Sequence, residues 1–245
     1  MGLLDGKVAI ITGAARGQGE AEARLFHAEG ASLVLTDVNP AGEKLAKALG
    51  DRVVFLRHDV AAQADWQAVA DLAKRSFGKV DVLVNNAGIN GFEPVDSITP
   101  AELQRYLDIH VFGALFGIQA IVPLMPASGG SIINIASTAA LGGHPNCVGY
   151  GTSKWALRGL GRHAAHDLVG RGIRVNTVLP GCVDTPMLGQ AGALGAELIE
   201  GARAAVPMKR FATAHELAQT VLFLASDQSS YMTGAELVVD GGLTA

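Results

Sequence analysis

The feature of this sequence that most constrains its fold is a regular alternation of short β-branched segments with longer segments of helical period. Seven segments have the composition of strands: Val8–Thr12, Ser32–Thr36, Val53–Leu56, Val80–Asn85, Ser131–Ile135, Ile173–Val178 and Leu237–Val239. Between them, segments such as Ala64–Phe77 and Ala101–Leu124 carry apolar residues at helical spacing. Because right-handed helical crossovers join parallel strands, this order predicts a doubly wound α/β fold of the Rossmann type, with helices on both faces of a parallel sheet.

A chain of 245 residues is long enough to bury one large core, so we expect a single domain over residues 1–245. In open parallel sheets, ligands bind at the carboxyl ends of the strands, so functional residues should lie in the loops that follow strands. The stretch 188–205, rich in Gly and Ala, follows the sixth predicted strand and is a candidate substrate lid. The alternative is an ordinary surface helix.

Charge and composition argue against several other classes of function. The chain has 19 basic and 23 acidic residues, a formal net charge of −4 and no block of Lys or Arg, which disfavours a nucleic-acid partner. No uninterrupted apolar run has the roughly 18–20 residues of a membrane span, and no secretory signal precedes the first strand, so we expect a soluble, cytoplasmic protein. Cys147 and Cys182 fit no metal spacing; we expect free thiols and no metal.

A glycine-rich turn follows the first predicted strand. The segment TGAARGQG places Gly13, Gly17 and Gly19 before a helix that is predicted to begin near Glu20. Glycines at such a turn let the backbone approach a pyrophosphate, and the helix N-terminus offers unpaired N–H groups and partial positive charge. The turn therefore predicts a dinucleotide site.

The residue that ends the second predicted strand indicates which dinucleotide binds. Asp37 lies close to the roughly 20-residue offset at which an acidic residue binds the ribose hydroxyls in dinucleotide folds. A carboxylate there would repel a 2′-phosphate, so NAD is favoured over NADP. Arg16 favours the opposite choice, since a guanidinium can pair with that phosphate. Asp37 could also be only a turn or helix-capping carboxylate.

A tyrosine and a lysine at helical spacing form a candidate acid/base pair. Tyr150 and Lys154, in YGTSK, lie four residues apart and so on one helical face. A nearby ammonium favours phenolate and should lower the pKa of Tyr150 toward the working pH. Ser137 closes the fifth predicted strand, and its hydroxyl could hold a substrate oxygen.

These motifs together resemble a known family. In order along the chain they are TGAARGQG, Asp59-Val60, NNAG at 85–88, Ser137, YGTSK and PGCVDTP at 180–186. Over essentially its full length the chain resembles the classical short-chain dehydrogenase/reductase family, with a pattern nearest to hydroxysteroid and cyclic- or aryl-alcohol dehydrogenases. The resemblance implies hydride transfer between nicotinamide and a substrate carbon, with Tyr150 as general acid/base and Ser137 positioning the substrate oxygen.

The resemblance also implies a set of cofactor contacts. Lys154 would bind the nicotinamide ribose as well as tune Tyr150, and NAD is the expected dinucleotide. The remaining contacts are implied at Gly13, Arg16, Gln18, Gly19, Asp37, Asp59, Val60, Asn86, Val183 and Thr185.

The chain departs from the family at one mechanistic position. The segment LDIHVFGALFG places His110 where the family commonly has an asparagine that holds a water in the proton relay behind the lysine. Neutral imidazole has one donor and one acceptor, so we expect it to hold that water, and its titration would add a pH dependence. The alternative is a packed helix residue without a catalytic part.

The segments that border the substrate in this family are mostly apolar here. Besides Ser137 and Tyr150, the expected substrate contacts are Leu141, His144, Cys147 and Met187, with Phe92, Ala139, Val148 and Leu188 nearby. Without an arginine to clamp a carboxylate or phosphate, a lipophilic alcohol or ketone is favoured.

Two other functions stay open. One is a 3-oxoacyl-thioester reductase that uses NADPH, which Asp37 disfavours. The other is a dinucleotide-binding sensor or scaffold without turnover, which only His110 supports. The resemblance further implies a homotetramer with Leu237–Ala245 at an interface.

Overall fold

The computed structural model describes residues 2–187 and 196–245. Its main sheet has seven parallel strands in the spatial order β3-β2-β1-β4-β5-β6-β9. These strands are β1 (Val8–Thr12), β2 (Ser32–Asp37), β3 (Val53–Arg57), β4 (Val82–Asn85), β5 (Gly130–Ile135), β6 (Ile173–Pro180) and β9 (Glu236–Val239). Two short strands, β7 (Val183–Asp184) and β8 (Ala212–Thr213), pair with each other outside this sheet. The predicted α/β fold with one parallel sheet is confirmed.

Eight α-helices are described, most of them on the two faces of the sheet. They are α1 (Gly17–Ala28), α2 (Gly42–Leu49), α3 (Gln63–Phe77), α4 (Pro100–Leu107), α5 (Gly113–Ile121), α6 (Val148–Leu168), α7 (Ala196–Ala205) and α8 (Ala214–Ala225). Both faces of the sheet bury a large apolar cluster, one centred on α1 and α8 and the other on α3 and α5. Burial on both faces explains why the central strands are apolar throughout.

The strand order reverses between β1 and β4, which creates the crevice where such sheets bind ligands. Pairing of β1 with both β2 and β4 brings the loops after Thr12, Asp37 and Asn85 to the same edge of the sheet. Pairing of β4 with β5 adds the loop after Ile135.

Three sequence-based boundaries differ from the structure. Helix α1 begins at Gly17, because its first turn includes the glycines that were expected to precede it. The predicted helix Ala101–Leu124 is divided by a π-helical segment, Asp108–Phe112, between α4 and α5. Of the proposed lid at 188–205, residues 188–195 lie outside the described residues, and Ala196–Ala205 is helix α7.

The stretch Pro100–Leu124 is long and apolar enough to cross a membrane, with a mean hydropathy of 1.7 in its most apolar window. It forms part of the crossover between β4 and β5, and α5 contacts both β4 and α3. Ile118 and Ile121 of α5 belong to the core cluster on that face of the sheet. Part of the apolar surface of this stretch is therefore buried in the core of the α/β fold.

Candidate active site

The glycine turn between β1 and α1 is packed too closely to accept side chains. A Cβ on Gly13 would lie 2.8 Å from the Cα of Ala87, and one on Gly19 would lie 2.3 Å from the carbonyl oxygen of Gly13. Gly13 and Gly17 also have positive φ angles of 67° and 63°, which glycine adopts without strain. No side chain caps the N-terminus of α1, so its first N–H groups stay available. The turn thus has the shape and polarity to hold a pyrophosphate.

Thr12 and Asn86 join this turn to the loop after β4. The Thr12 hydroxyl accepts hydrogen bonds from the backbone N–H groups of Asn86 and Ala87, each at 3.0 Å. The Asn86 side-chain amide donates to the Thr12 carbonyl at 2.8 Å and to the Gly13 carbonyl at 3.2 Å. The two loops on either side of the crevice are therefore held as one unit. Sequence analysis assigned Asn86 to the cofactor but missed Thr12, whose only signal is its place at the end of β1.

Asp37 lies at the end of β2 beside the glycine turn. Its Oδ2 accepts the backbone N–H of Ala15 at 2.9 Å, and its Oδ1 accepts that of Asn39 at 2.8 Å. An ionised carboxylate has about four lone-pair sites, so two remain for ribose hydroxyls. The cap of α2 is Ala41 and not Asp37, which removes one of the structural alternatives for this residue. Arg16, in the same turn, is exposed to solvent.

The other predicted cofactor residues border the same crevice. Asp59 and Val60 follow β3; Val60 is buried and lies where a Cβ on Gly113 would meet it at 3.1 Å. Val183 is buried in β7, and Thr185 lies over the glycine turn, 3.6 Å from a Cβ placed on Gly17. The segment after β6 thus closes over the turn between β1 and α1.

Helix α6 carries the candidate acid/base pair, Tyr150 and Lys154, in its first turns. Lys154 is buried, and its Nζ donates to the carbonyl oxygen of Ile135 at 2.8 Å. The same Nζ lies 5.7 Å from the centroid of the Tyr150 ring. Burial lowers the pKa of Lys154 to about 7. The Lys154 side chain is therefore partly protonated near pH 7, and its Nζ is held at the carboxyl end of β5.

Tyr150 is partly buried beside this lysine. Burial raises the pKa of Tyr150 to about 12, and the nearby Ser137 hydroxyl opposes that rise. The expectation that Lys154 brings the pKa of the phenol close to the working pH is therefore not met in the chain alone, because desolvation outweighs the Ser137 hydrogen bond. The phenol is protonated at neutral pH and can serve as the acid.

Ser137 is placed to donate a hydrogen bond. Its Oγ accepts the backbone N–H of Ala139 at 3.1 Å, which caps the short 3₁₀ turn Thr138–Ala140. With one lone pair occupied, the hydroxyl proton remains available for a substrate oxygen. Arg158 of α6 donates to the Ala140 carbonyl and pairs with Glu236 of β9 at 2.7 Å, which fixes this loop. Sequence analysis did not identify Arg158.

His110 lies beneath this site, but both of its ring nitrogens have protein partners. Nε2 accepts the backbone N–H of Ile89 at 3.0 Å, and Nδ1 lies 2.7 Å from the Oγ of Ser153. The expectation that the imidazole holds a relay water is wrong for this geometry, because no ring nitrogen is left to bind one. Sequence analysis missed Ser153, although it stands within the YGTSK motif.

A small cavity of about 10 Å³ borders His110 and is lined also by Thr12, Asn85, Ile109 and Leu157. That volume is about the space of one water molecule. The Asn85 amide donates to the Asn134 side-chain oxygen at 2.9 Å, across the register of β4 and β5. This buried pair aligns the two strands whose loops carry the site.

The predicted substrate residues lie on the loop between β5 and α6 and after β7. Leu141 and Cys147 are half-buried, Met187 is 37% exposed, and His144 is exposed. Cys147 and Cys182 are free thiols near Tyr150, as predicted, and burial raises the pKa of each. Within residues 2–187 and 196–245, no group of three metal-ligating side chains comes together.

The fold and this site are those of an α/β oxidoreductase, with a dinucleotide-type glycine turn and a candidate tyrosine–lysine acid/base pair. A family model described as enoyl-(acyl carrier protein) reductase matches residues 13–244. The chain belongs to the classical short-chain dehydrogenase/reductase family.

Individual relatives cover the whole chain. A 3-alpha-(or 20-beta)-hydroxysteroid dehydrogenase of Mycobacterium tuberculosis is 42% identical over 100% of this chain and 92% of its own length. An NADP-dependent (R)-specific alcohol dehydrogenase of Lentilactobacillus kefiri is 39% identical over 99% of this chain and 98% of its own. The crystal structure of a short-chain glucose/ribitol dehydrogenase from Brucella melitensis superposes with a TM-score of 0.94 at 31% identity, covering 100% of both chains.

Proposed function

We propose that this protein is an NAD-dependent dehydrogenase that interconverts a lipophilic secondary alcohol and the corresponding ketone. The observation that carries the proposal is the position of Tyr150, 5.7 Å from the Lys154 ammonium at the carboxyl end of β5, across the crevice from the glycine turn. Membership of an oxidoreductase family with alcohol-dehydrogenase relatives supports it.

The chain's own residues account for the proton steps. In ketone reduction, Ser137 donates a hydrogen bond to the carbonyl oxygen, and Tyr150 then transfers its phenolic proton to that oxygen. In alcohol oxidation, Tyr150 must first lose its phenolic proton to solvent, and the phenolate then accepts the proton of the alcohol; a protonated Lys154 beside the ring favours that phenolate. The dinucleotide, when bound, supplies the hydride donor or acceptor and, in its oxidised form, a further positive charge. Lys154 would bind its nicotinamide ribose.

The choice of NAD rests on Asp37. Its carboxylate faces the glycine turn through the Ala15 N–H, where a ribose 2′-phosphate would meet negative charge. The NADP-dependent relative and the exposed Arg16 support the opposite choice, so the dinucleotide needs a direct measurement. The expected preference for NAD in kcat/KM is at least about tenfold, or about 1.4 kcal/mol.

The substrate class rests on the loop residues around Tyr150. Leu141, Cys147 and Met187 offer apolar surface, and the hydroxysteroid dehydrogenase relative acts, by its name, on a large apolar alcohol. One second function has a specific observation in its favour: a 3-oxoacyl-[acyl-carrier-protein] reductase of Thermotoga maritima is 36% identical over 98% of this chain, which supports a 3-oxoacyl-thioester reductase using NADPH.

The test is a panel assay of the purified protein. Both dinucleotides are combined with hydrophobic secondary alcohols, their ketones and 3-oxoacyl thioesters. The proposal expects NAD-linked oxidation of the alcohols. Preferred NADPH-linked reduction of the thioesters would replace it with the second function, and dinucleotide binding without turnover of any substrate would indicate a sensor.

We also propose a cytoplasmic homotetramer. Val238 is 44% exposed in the edge strand β9, as a strand that meets another subunit would be. Sedimentation of the purified protein tests the assembly; a monomer at micromolar concentration would contradict it.

A further inference from the structure

His110 connects two parts of the active site. The loop after β4 contributes the Ile89 N–H, which donates to Nε2 at 3.0 Å. Helix α6 contributes the Ser153 Oγ, which lies 2.7 Å from Nδ1. Ser153 directly precedes Lys154 in the chain, so the ring joins the loop of the dinucleotide crevice to the helix turn that carries the acid/base pair.

The direction of these hydrogen bonds fixes the tautomer of the ring. Because the Ile89 N–H is a donor, Nε2 must be the acceptor and its lone pair must be unprotonated. The proton of a neutral ring then lies on Nδ1 and is donated to Ser153. The Ser153 hydroxyl in turn donates to the carbonyl oxygen of Tyr150 at 2.7 Å. Three consecutive bonds thus run from Ile89 to the backbone of Tyr150.

The surroundings keep the ring neutral. His110 is 2% exposed, and a proton on Nε2 would point at the Ile89 donor. The charged group that faces the ring is the Lys154 ammonium; the other neighbours are the rings of Tyr150, at 5.7 Å and perpendicular, and Tyr106, at 6.0 Å. Desolvation, followed by repulsion from Lys154, lowers the pKa of His110 well below its usual value.

The close packing of the loop depends on the missing side chain of Gly88. A Cβ there would lie 3.0 Å from Nε2 of His110 and 3.6 Å from Nζ of Lys154. The ring and the Lys154 side chain therefore both lie directly under the loop at Gly88.

We propose that His110 is a positioning residue whose neutral imidazole fastens the loop at Ile89 to the first turns of α6, and so fixes Tyr150 and Lys154 relative to the bound dinucleotide. This inference rests on the proposed function, since the positions matter for that reaction. In this proposal His110 positions other residues and does not itself transfer protons.

Two amide substitutions separate the two ends of this connection. In His110→Asn the amide ends as far along the side chain as Nδ1, so it can reach Ser153 but not Ile89. In His110→Gln the amide ends at the distance of Nε2, so it can reach Ile89 but not Ser153. His110→Leu removes both bonds and keeps an apolar side chain of comparable bulk.

The first experiment needs neither dinucleotide nor substrate. Long-range proton–nitrogen NMR spectra of the full chain should show His110 as the Nδ1–H tautomer, without titration between about pH 5.5 and 9. Amide exchange at Ile89 should be faster in His110→Asn than in wild type and unchanged in His110→Gln. An Nε2–H tautomer, a ring that titrates in this range, or exchange at Ile89 that ignores all three substitutions would overturn the proposal.

The second experiment separates the effect of each variant on NAD affinity from its effect on kcat. His110→Asn should weaken NAD binding by about fivefold to tenfold, the worth of one hydrogen bond, and keep kcat close to wild type. His110→Gln and Ser153→Ala should each lower kcat and shift its pH profile while NAD binding changes little. The double variant should be no worse than Ser153→Ala alone, because His110→Gln removes a bond that Ser153→Ala has already removed.

Melting temperatures serve as the control for a purely structural role. If every variant lost activity only in proportion to stability, with the pH profile of kcat unmoved, His110 would be a packing residue and the proposal would be wrong. If wild type turned over none of the alcohols, the proposed function would fail, while the NMR and exchange results would still decide whether the connection exists.

Discussion

Two buried ionisable groups lie on opposite faces of the sheet, and they differ in their hydrogen-bond partners and in the direction of their pKa shifts. Lys154, on α6, is 4% exposed, and its ammonium donates to the Ile135 carbonyl. Glu22, on α1, is fully buried, and neither of its carboxylate oxygens has a hydrogen-bond partner. Burial lowers the pKa of Lys154 to about 7 and raises that of Glu22 to about 8.

The difference separates a buried group that belongs to the proposed active site from one that does not. Lys154 is oriented by its partner and lies beside Tyr150, so its desolvation costs stability but places a titratable charge where the reaction needs it. Glu22 is neutralised by a proton at neutral pH and contacts no reacting group that the structure describes. It adds a cost to the fold without a corresponding role in the proposed chemistry.

The largest expected effect is on kcat, and it tests the part of this comparison that concerns Lys154 and Tyr150. Tyr150→Phe removes the acid/base proton but leaves the dinucleotide turn intact, so kcat should fall by about 10³-fold, with NAD affinity little changed. Steady-state kinetics and NAD titration measure the two effects. Tyr231→Phe is the matched control, because Tyr231 is fully exposed. Retention of most of kcat in Tyr150→Phe would show that another group is the acid/base.

The second prediction concerns Glu22 and the pH dependence of stability. Between the unfolded pKa of 4.5 and the folded value of about 8, the folded state holds a proton that the unfolded state lacks, so stability falls as pH rises. From pH 5 to 7.5 this contribution amounts to about 3 kcal/mol.

Glu22→Gln should remove that fall, as measured by denaturant unfolding at both pH values. Glu20→Gln is the control, since Glu20 lies on the same helix with 35% of its side chain exposed and pairs with Arg24. An unchanged pH dependence in Glu22→Gln would mean that the carboxyl gains a partner or is hydrated.

The third prediction has the opposite sign. Between the folded pKa of about 7 and the unfolded value of 10.5, Lys154 is protonated only in the unfolded state, so its contribution to stability rises with pH. Lys154→Met should therefore stabilise the fold more at pH 6.5 than at pH 9, and the gain in the free energy of unfolding should be smaller by about 2.5 kcal/mol at pH 9. Lys47→Met is the control, because the Lys47 side chain is 75% exposed. A gain that stays constant with pH would place the Lys154 pKa outside this range.

The smallest expected effect is on the preference between NAD and NADP, and it tests the role of Asp37. Asp37→Ala removes the carboxylate that accepts the Ala15 N–H, so the preference for NAD over NADP in kcat/KM should narrow by about tenfold, or about 1.4 kcal/mol. Asp59→Ala, in the loop after β3, is the comparison variant. Wild-type protein that used NADP as well as NAD would already contradict the role given to Asp37.

The sequence by itself determined the order of the strands along the chain and the parallel sheet, and it marked the candidate site residues. All seven predicted strands of the main sheet are present, because strands covered by helices on both faces need short apolar, β-branched segments, and these can be recognised in the sequence. The glycine turn and the Tyr150–Lys154 pair were equally visible, since each depends on spacing within one local segment.

Only the tertiary structure decided how distant segments meet. The Ser153 partner of His110, the link from Thr12 to Asn86 and the pair Asn85–Asn134 join residues from different elements, and no local pattern marks them. The same holds for pKa values: the burial that raises the pKa of Tyr150 and lowers that of Lys154 comes from the whole fold. Hydrogen-bond direction and desolvation depend on three-dimensional packing, which spacing along the chain does not specify.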